Sequence, residues 1–221
     1  GVFLRNKMYT AIVADIKSSR SIRQRYAAQT RLQAVLARVN EDYAKQIAAN
    51  FVITLGDEFQ GLLKHAENAL RIALQIRAAM SPIQIRVGVG IGTMQTQIQP
   101  EQALGADGPA YHLARRAIEE IRKTEAGKES PKTEILLLSN SKKVSAAPFN
   151  HILSLLYVLE KSWTPRQQKL VESMLLEGCS QRELAEQYHV TQSSVNQSLR
   201  RAHYYHYQHS FDYLSSLLKE V

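Results

Sequence analysis

Cysteine is almost absent from this sequence, with Cys179 as the single example in 221 residues. A lone thiol excludes an internal disulfide and cannot begin a thiolate zinc site, so no structural metal is expected. Long apolar runs are absent too, since no stretch approaches the ~20 consecutive apolar residues that span a bilayer. The first residues also lack the apolar segment of a secretory signal. These absences predict a soluble cytoplasmic protein with no membrane partner.

Internal repeats and low-complexity tracts are absent as well. With 44% hydrophobic residues, a chain of this length can form one large and one small domain. The composition turns polar and helix-poor at Ser139–Pro148, which indicates a domain edge. We therefore predict a first domain over residues 1–148, a connector helix over 149–162 and a second domain over 163–221. The connector is apolar nearly all round at His151–Glu160, which is typical of a packed helix or of a subunit contact.

The net charge of +8 is unevenly distributed. Residues 1–150 hold 21 Lys and Arg against 13 Asp and Glu, whereas residues 151–221 hold 7 of each kind. A basic balance mildly favours phosphate-rich partners. Because the excess lies in the first domain, any nucleic-acid affinity of the second would depend on local clusters such as Arg200 and Arg201.

Hydrophobic spacing predicts a βαββαβ order in the first domain. Tyr9–Ile16 is a short apolar strand, and apolar positions from Leu32 to Ile47 recur at helical spacing. Phe51–Leu55 and Phe59–Leu63 flank a tight acidic turn and predict a hairpin. The remaining pattern predicts a helix near 66–77, a strand near 83–91, a helix near 113–121 and a last strand near 134–138. Together these elements predict a sheet covered by helices.

Two carboxylates stand out by position, because Asp15 ends the first strand and Asp57 lies at the tip of the hairpin. Adjacent strands of one sheet would bring them together. Paired oxygen ligands without soft ligands favour Mg²⁺ or Mn²⁺ carried in with nucleotide phosphates. Two structural alternatives stay open, since Asp57 can serve the turn and Asp15 can cap the following helix.

The segment that follows Asp15 combines hydroxyls, two cations and a helix start. The free backbone N–H groups and the positive end of the helix dipole at such a start favour the binding of phosphate. The predicted nucleotide-binding residues here are Ile16, Lys17, Ser18, Ser19 and Arg20.

Three short pieces, ADI at 14–16, LGDEF at 55–59 and IRVGVGIG at 85–92, carry a resemblance to known families. They resemble class III nucleotide cyclases and, more distantly, GGDEF diguanylate cyclases. The resemblance implies an α+β, ferredoxin-like βαββαβ domain in which Asp15 and Asp57 hold two metal ions over a triphosphate. The whole chain looks most like the SatD family, small bacterial proteins with this domain and a C-terminal DNA-binding helix pair.

The resemblance departs from the cyclase pattern on the helix after the fourth strand. Cyclases carry Asn-x-x-x-Arg there, and Tyr111 and Arg115 stand at the two positions. Tyrosine cannot replace an amide that both donates and accepts hydrogen bonds. Both residues are predicted to contact nucleotide, and binding is expected without efficient turnover. Alternatively, Arg115 and Arg116 form a solvated helix face.

The second domain has the spacing of a small all-α helix-turn-helix. Thr164-Pro165 opens a helix, Gly178 ends it, Ser180 begins the next, and Thr191 caps a third. This stretch resembles sigma factor region four and LuxR-type regulators. A plain three-helix bundle with a polar surface is the alternative. The predicted DNA-binding residues are Thr191, Gln192, Ser193, Ser194, Asn196, Gln197, Arg200 and Arg201.

These patterns together predict a DNA-binding transcription regulator that senses a nucleotide with a divalent metal. The predicted partners are double-stranded DNA, a nucleotide ligand and a second copy of the chain in a homodimer. An active class III-like nucleotide cyclase with a DNA-binding tail is one alternative. The other is a DNA-binding protein whose first domain is catalytically inert and only dimerises.

Overall fold

A five-stranded sheet forms the centre of the first half of the protein, which we describe from a computed structural model of residues 7–17, 25–101, 107–127 and 131–221. The strands are β1 (Met8–Ile16), β2 (Ile47–Leu55), β3 (Glu58–Leu63), β4 (Ile85–Thr93) and β5 (Ile135–Ser139). The strand order is β2-β3-β1-β4-β5. Strand β1 is antiparallel to both of its neighbours, and β5 is parallel to β4.

Helices cover the sheet and form the remainder of the described chain. The helices are α1 (Arg25–Asp42), α2 (Ala69–Met80), α3 (Pro109–Ala126), α4 (Ala146–Ser162), α5 (Pro165–Glu172), α6 (Gln181–Gln187), α7 (Gln192–Arg201) and α8 (Tyr204–Leu217). The element order begins β1-α1-β2-β3-α2-β4, so the predicted mixed α+β class is confirmed. A π-helical turn over Ser173–Glu177 continues α5, and a 3-10 turn follows α8.

Strand β1 is buried on both faces because its alternating side chains contact different layers. Ile12 and Ala14 join the core that includes α1, α2 and α4. Ala11 and Val13 join a smaller cluster with α3 on the opposite face. A strand buried on both faces requires a nearly continuous apolar sequence. Asp15 is therefore exceptional in β1, because it is a carboxylate in an apolar strand.

Helix α3 packs directly on β4 because that strand carries glycines on the facing side. A Cβ added at Gly90 would lie 2.0 Å from the Ala110 carbonyl oxygen, and one at Gly88 would lie 2.1 Å from that of Ala114. The glycines in the alternating strand thus permit the backbones to approach closely. This packing fixes the position of α3 over the end of β1.

The predicted end of the first helix is wrong, since α1 ends at Asp42 and Ile47 begins β2. The side chain of Asn40 explains the early end. Its amide accepts a hydrogen bond from Phe51 N at 2.8 Å and donates one to Phe51 O at 3.0 Å. This bridge holds the chain in a reversal and lets Ile47 pair with Leu63 on β3. A tertiary hydrogen bond outweighs the helical spacing of one apolar side chain.

The hydrophobic core continues from the sheet into the C-terminal helices. One cluster of buried side chains contains Leu137 of β5 together with residues of α4 to α8, among them Phe149, Leu170 and Phe211. Arg71 on α2 donates to the carbonyl of Leu175 at 2.8 Å, which ties the two parts by a polar contact as well. The predicted domain edge at residue 148 falls within α4. No helix in the described ranges is long and apolar enough to cross a membrane.

Candidate functional site

Asp15 lies at the end of β1, where two neighbouring strands place charged side chains beside it. It is opposite Glu58 on β3 and opposite Arg86 on β4, and its own exposed fraction is 4%. Arg86 Nη1 donates to both carboxylate oxygens of Asp15 at 3.2 Å. Arg122 of α3 donates to Oδ2 of the same carboxylate. A buried carboxylate needs such charged donors, because desolvation alone would strongly disfavour its ionised form.

Arg122 extends from the buried pair of Asp15 and Arg86 towards the protein surface. Its Nη2 lies 3.8 Å from a carboxylate oxygen of Glu58, and its side chain is 48% exposed. The adjacent residue Asp57 lies in the β2-β3 turn, and its carbonyl accepts a hydrogen bond from Ile16 N at 3.1 Å. The structure therefore brings Asp15 and Asp57 to the same end of the sheet. Their role as metal ligands stays a prediction.

The charges around Asp15 continue as a connected series of ion pairs, here called the ion-pair chain. Arg86 pairs with Glu125 at 2.8 Å, and Glu125 pairs with Lys17 at 2.6 Å. Lys17 also lies 2.9 Å from Glu134, the residue before β5. From Glu134 the series runs to Arg77 at 2.5 Å and to Lys161 at 3.1 Å. It ends at Glu160, which lies 2.9 Å from Arg77 and accepts a 2.6 Å hydrogen bond from Tyr207.

Glu134 is the centre of this chain and has a strongly shifted pKa. Burial by itself raises the pKa of a carboxyl group, but the charge of Arg77 and the hydrogen bond from Lys17 lower the pKa of Glu134 to about 2. The same partners act on the cations. Burial opposes the charge of Lys17, yet Glu125 and Glu134 raise the pKa of its ammonium. Glu134 and Lys17 are therefore both charged near neutral pH.

The predicted phosphate-binding segment is only partly described. Ser18, Ser19 and Arg20 lie outside the described residues. Lys17 is present and half-buried, and both of its pairs are internal ones to Glu125 and Glu134. Ile16 is buried, and its N–H is used by the Asp57 carbonyl. In this structure Lys17 therefore supports the ion-pair chain rather than an open phosphate site.

Tyr111 and Arg115 occupy different environments, although they are one helical turn apart on α3. Tyr111 is fully buried, and its hydroxyl has no hydrogen-bond partner among the described residues. Burial raises the pKa of this phenol. Arg115 is exposed, lies with its guanidinium 5.8 Å from the Tyr111 ring centre, and donates to Gln60 at 3.2 Å. Arg115 thus reaches the sheet face that carries Asp15, whereas the Tyr111 side chain does not reach solvent.

The oxygen ligands at this end of the sheet are of the type that Mg²⁺ and Mn²⁺ prefer. Asp15 at the end of β1, Asp57 in the β2-β3 turn and Glu58 at the start of β3 supply carboxylates. In the described part of the chain, no group of three or more His, Cys, Asp or Glu is close enough to hold a metal. Both oxygens of Asp15 are engaged by arginines. A divalent ion would fit this donor set only if Arg86 or Arg122 paired with another anion in place of Asp15.

The predicted DNA-contact residues lie on or beside α7, and most of them are exposed. Thr191 caps the helix by accepting a hydrogen bond from Ser194 N at 3.1 Å. Asn196 is less available, since its side chain accepts a hydrogen bond from the Tyr205 hydroxyl at 3.0 Å. The exposed members are Thr191, Gln192, Ser193, Ser194, Gln197, Arg200 and Arg201.

Four residues of the site were missed by sequence reasoning: Arg86, Arg122, Glu125 and Glu134. Arg86 gave a usable signal, because it is a lone charge in an otherwise apolar strand. Arg122 lies seven positions after Arg115, two helical turns along the same side of α3. Glu134 gave no signal, since a charged residue at the first position of a predicted strand is ordinary.

The family model of the SatD family matches residues 9–211. No curated protein matches the chain. A bacterial light-regulated adenylyl cyclase is similar at 13% identity and TM-score 0.43, over 59% of this chain and 74% of that one. The monomeric guanylyl cyclase domain of the RhoGC fusion protein from the aquatic fungus Blastocladiella emersonii is similar at 21% identity and TM-score 0.41. The match covers 50% of this chain and 74% of that one. The guanylyl cyclase Cya2 is similar at 12% identity and TM-score 0.40, over 51% of this chain and 70% of that one.

The prediction of a DNA-binding transcription regulator is wrong. The solved structures named above are described as guanylyl and adenylyl cyclase domains and not as DNA-binding regulators. The polar face of α7 misled the prediction, because a row of exposed polar side chains is also what a solvated helix surface presents. The individual residue assignments on α7 are not tested by this comparison.

Proposed function

The chain belongs to the SatD family, and from that premise we propose that its α/β part binds a nucleoside polyphosphate together with Mg²⁺ or Mn²⁺. The observation that carries the proposal is the surroundings of Asp15. A buried carboxylate at a strand end is held by Arg86 and by the half-exposed Arg122. The binding site comprises these three residues with the nearby Asp57 and Glu58.

Binding would proceed by an exchange of ion-pair partners. Arginine forms bidentate hydrogen bonds with phosphate as readily as with carboxylate. Arg122 is the side chain able to turn, because it is 48% exposed while Arg86 is 18% exposed. When Arg122 pairs with a phosphate, an oxygen of Asp15 becomes available for a cation. Charge stays balanced, since metal replaces arginine beside Asp15 and arginine binds the incoming anion.

Asp15 and Asp57 are the residues that would hold the metal ion, with Glu58 beside them. When bound, Mg²⁺ or Mn²⁺ supplies positive charge that neutralises phosphate oxygens. The protein's own contribution is to hold the Asp15 carboxylate in place. The backbone hydrogen bond from Ile16 to Asp57 and the pairing of β1 with β3 fix the two aspartates on adjacent segments.

Calorimetry with ATP or GTP and Mg²⁺ tests this proposal. We expect wild-type protein to bind and Asp15→Asn to lose metal-dependent binding. Asp42→Asn is the matched control, because Asp42 is a 53% exposed carboxylate on α1 that pairs with Arg38 at 3.6 Å. Identical titrations of wild type and Asp15→Asn, with both proteins folded by circular dichroism, would show that Asp15 has only a structural role.

Arg122→Gln separates phosphate binding from simple blockage of Asp15. If Arg122 binds phosphate, the variant should lose about tenfold in nucleotide affinity, which is ~1.4 kcal/mol. If Arg122 only blocks the carboxylate, the variant should bind metal and nucleotide more tightly. Arg116→Gln is the control on the same helix, since Arg116 is 61% exposed and pairs with Glu120 one turn away.

Turnover of the nucleotide is a second candidate, favoured by the position of Arg115. Its exposed guanidinium reaches Gln60 on the sheet face that carries Asp15. A cation there would stabilise negative charge that develops on a phosphate. Chromatography after incubation with ATP or GTP and Mn²⁺ decides the point. A product that disappears in Arg115→Ala supports a cyclase, whereas absence of any product assigns the domain to binding alone.

The fold of the C-terminal region and the oligomeric state complete the proposal. We propose a helix-turn-helix fold over 163–221, supported by the capping box of Ser180 with Glu183 and by the burial of Leu184 and Leu199 in one core.

We also propose a homodimer. Its support is the exposed apolar surface of α4, where Leu155 is 67% exposed. Light scattering at micromolar concentration tests it, and a monomeric mass would contradict it.

A further inference from the structure

A cavity of about 330 Å³ lies between the α/β part and the C-terminal helices. Its walls come from the end of α2 and the loop before β4, from α4 and α5, and from Tyr207 of α8. The volume lies at the lower end of the range for small-molecule sites, ~300–1,000 Å³. Asp15 does not line this cavity. The cavity is therefore a second place, apart from the proposed nucleotide site, where a small molecule could bind.

Two of the three carboxylates in the cavity wall already have cations. Glu134 is paired with Arg77 and Lys161, and Glu160 is paired with Arg77. The second oxygen of Glu160 accepts the Tyr207 hydroxyl. Because both cations of the wall are used in this way, the charge of these two carboxylates is balanced within the protein.

Glu172 is the third carboxylate, and it lacks a cation of its own. Its Oε1 accepts a hydrogen bond from the side-chain amide of Gln168 at 2.9 Å. No Lys, Arg or His of the described chain lies within ion-pair distance of it. Burial raises the pKa of Glu172, and the hydrogen bond from Gln168 and the more distant charge of Arg77 oppose this shift only in part. Its other oxygen and the side-chain carbonyl oxygen of Gln168 are acceptors that a donor in the cavity could use.

The remaining walls suit the apolar body of a ligand. Aliphatic surface comes from several of the lining side chains, and two aromatic rings, Trp163 and Tyr207, form an edge-to-face pair with centres 5.0 Å apart. Both rings are held in place, because Trp163 Nε1 donates to Ala202 O at 2.8 Å and Tyr207 donates to Glu160. The aromatic wall is thus formed before any ligand arrives, which lowers the entropic cost of binding. The aliphatic residues include Leu74, Ile83, Val171 and Leu176.

We propose that this cavity binds a compact organic cation, an amidinium, guanidinium or primary ammonium group on a ring or short apolar body. The charged group would donate hydrogen bonds to Glu172 and Gln168. The apolar body would lie against Trp163 and the aliphatic wall. A cation supplies the charge that Glu172 lacks, and burial of the resulting pair beside fixed rings favours it over a neutral molecule of the same shape.

Trp163 is the only tryptophan of the chain, so its fluorescence reports on this cavity directly. The probes are benzamidine and phenethylamine, with benzamide and 2-phenylethanol as neutral counterparts of similar shape. Titrations are made at mildly alkaline pH, which favours the ionised form of Glu172 while both cationic probes stay charged. We expect saturable quenching by at least one cationic probe, with an affinity about tenfold or more above that of its neutral counterpart.

Glu172→Gln tests the residue on which the proposal rests. This variant keeps the shape of the side chain and should bring each cation and its neutral counterpart to within about threefold of each other. Glu177→Gln is the matched control, an exposed glutamate in the next helical turn that does not line the cavity. Circular dichroism verifies that both variants are folded.

Three results would overturn the proposal. The first is the absence of saturable quenching by both cationic probes. The second is equal affinity for charged and neutral probes in the wild type. The third is an undiminished preference for cations in Glu172→Gln. None of these results bears on nucleotide binding, because the calorimetric test of the α/β part uses a different ligand and different residues.

Discussion

Asp15 is a buried carboxylate whose charge is balanced from two separate elements, Arg86 on β4 and Arg122 on α3. Removing one partner of such a group leaves an uncompensated charge in a poorly solvated place. Each member of the ion-pair chain therefore depends on the next. Because of this dependence, protonation of a single residue should change the free energy of unfolding of the whole protein.

Glu134 should determine part of the acid stability of the protein. Its pKa is lowered to about 2 in the folded state, so the ionised form contributes stability above the ordinary carboxyl pKa. That contribution is lost as the pH falls from ~4.5 towards ~2. Denaturant unfolding at a series of pH values should therefore show a steep loss in this window. Glu134→Gln should be less stable near neutral pH and should show a flatter profile there. An equally steep loss in the variant would contradict the assignment.

Tyr111→Phe should stabilise the protein or leave it unchanged. The substitution removes a buried hydroxyl that has no partner among the described residues, and such a group costs ~1–3 kcal/mol. Because the side chain does not reach solvent, nucleotide binding should stay within about twofold of wild type. Thermal unfolding and calorimetry measure the two effects. A large loss of nucleotide affinity would instead support the sequence-based assignment of Tyr111 to the nucleotide site.

Helix α3 and strand β4 act as one structural element, because the glycines of β4 let the helix backbone lie against the sheet. The helix carries Arg115 and Arg122 as well as Glu125, and all three contact residues of the proposed site or the sheet beside it. The distance between α3 and β4 therefore sets where these side chains lie. Small changes in packing should affect stability and binding together.

Gly90→Ala tests this close contact. The added Cβ would lie 2.0 Å from the Ala110 oxygen and 2.5 Å from the Ala114 nitrogen, so the helix must shift. We expect a loss of ~2 kcal/mol or more in unfolding free energy. Gly178→Ala is the control, because a Cβ there meets no atom within 4 Å but φ is 72°. Its cost should be only the ~1 kcal/mol of a left-handed alanine. Equal losses in the two variants would contradict the packing argument.

The molecule as a whole is linked by a shared core and by the ion-pair chain. The core runs from the sheet into α8, and the chain runs from Asp15 to Glu160 and Tyr207. Contacts of this extent make it costly for the C-terminal helices to unfold while the sheet stays folded. The predicted boundary at residue 148 concerns sequence composition rather than independent stability.

Unfolding should accordingly be cooperative across both regions. Far-ultraviolet circular dichroism follows all helices, whereas fluorescence of the single tryptophan follows Trp163 near the C-terminal helices. The two denaturation curves should coincide. Leu175→Ala, which removes a buried side chain between the two parts, should shift both curves by ~2–5 kcal/mol in unfolding free energy. A fluorescence transition well before the circular dichroism transition would show that the C-terminal helices unfold separately.

The sequence by itself determined the features that depend on local periodicity. The apolar run of β1, the alternation in β4, the helical spacing in α2 and α3, and the caps at Thr164, Ser180 and Thr191 all report the conformation of a short segment. The positions of Asp15 and Asp57 could be predicted for the same reason, because each lies at the end of a local element.

Only the tertiary structure decided which charges neutralise one another. Arg122 and Asp15 are 107 positions apart, and Lys17 and Glu134 are 117 apart, so no local pattern could pair them. The end of α1 was decided in the same way, by the side-chain bridge from that helix to β2. The cavity beside Glu172 likewise exists only where α2, α4, α5 and α8 meet. Long-range electrostatics and packing depend on how the elements are arranged in space, and that arrangement results from the burial of the whole core.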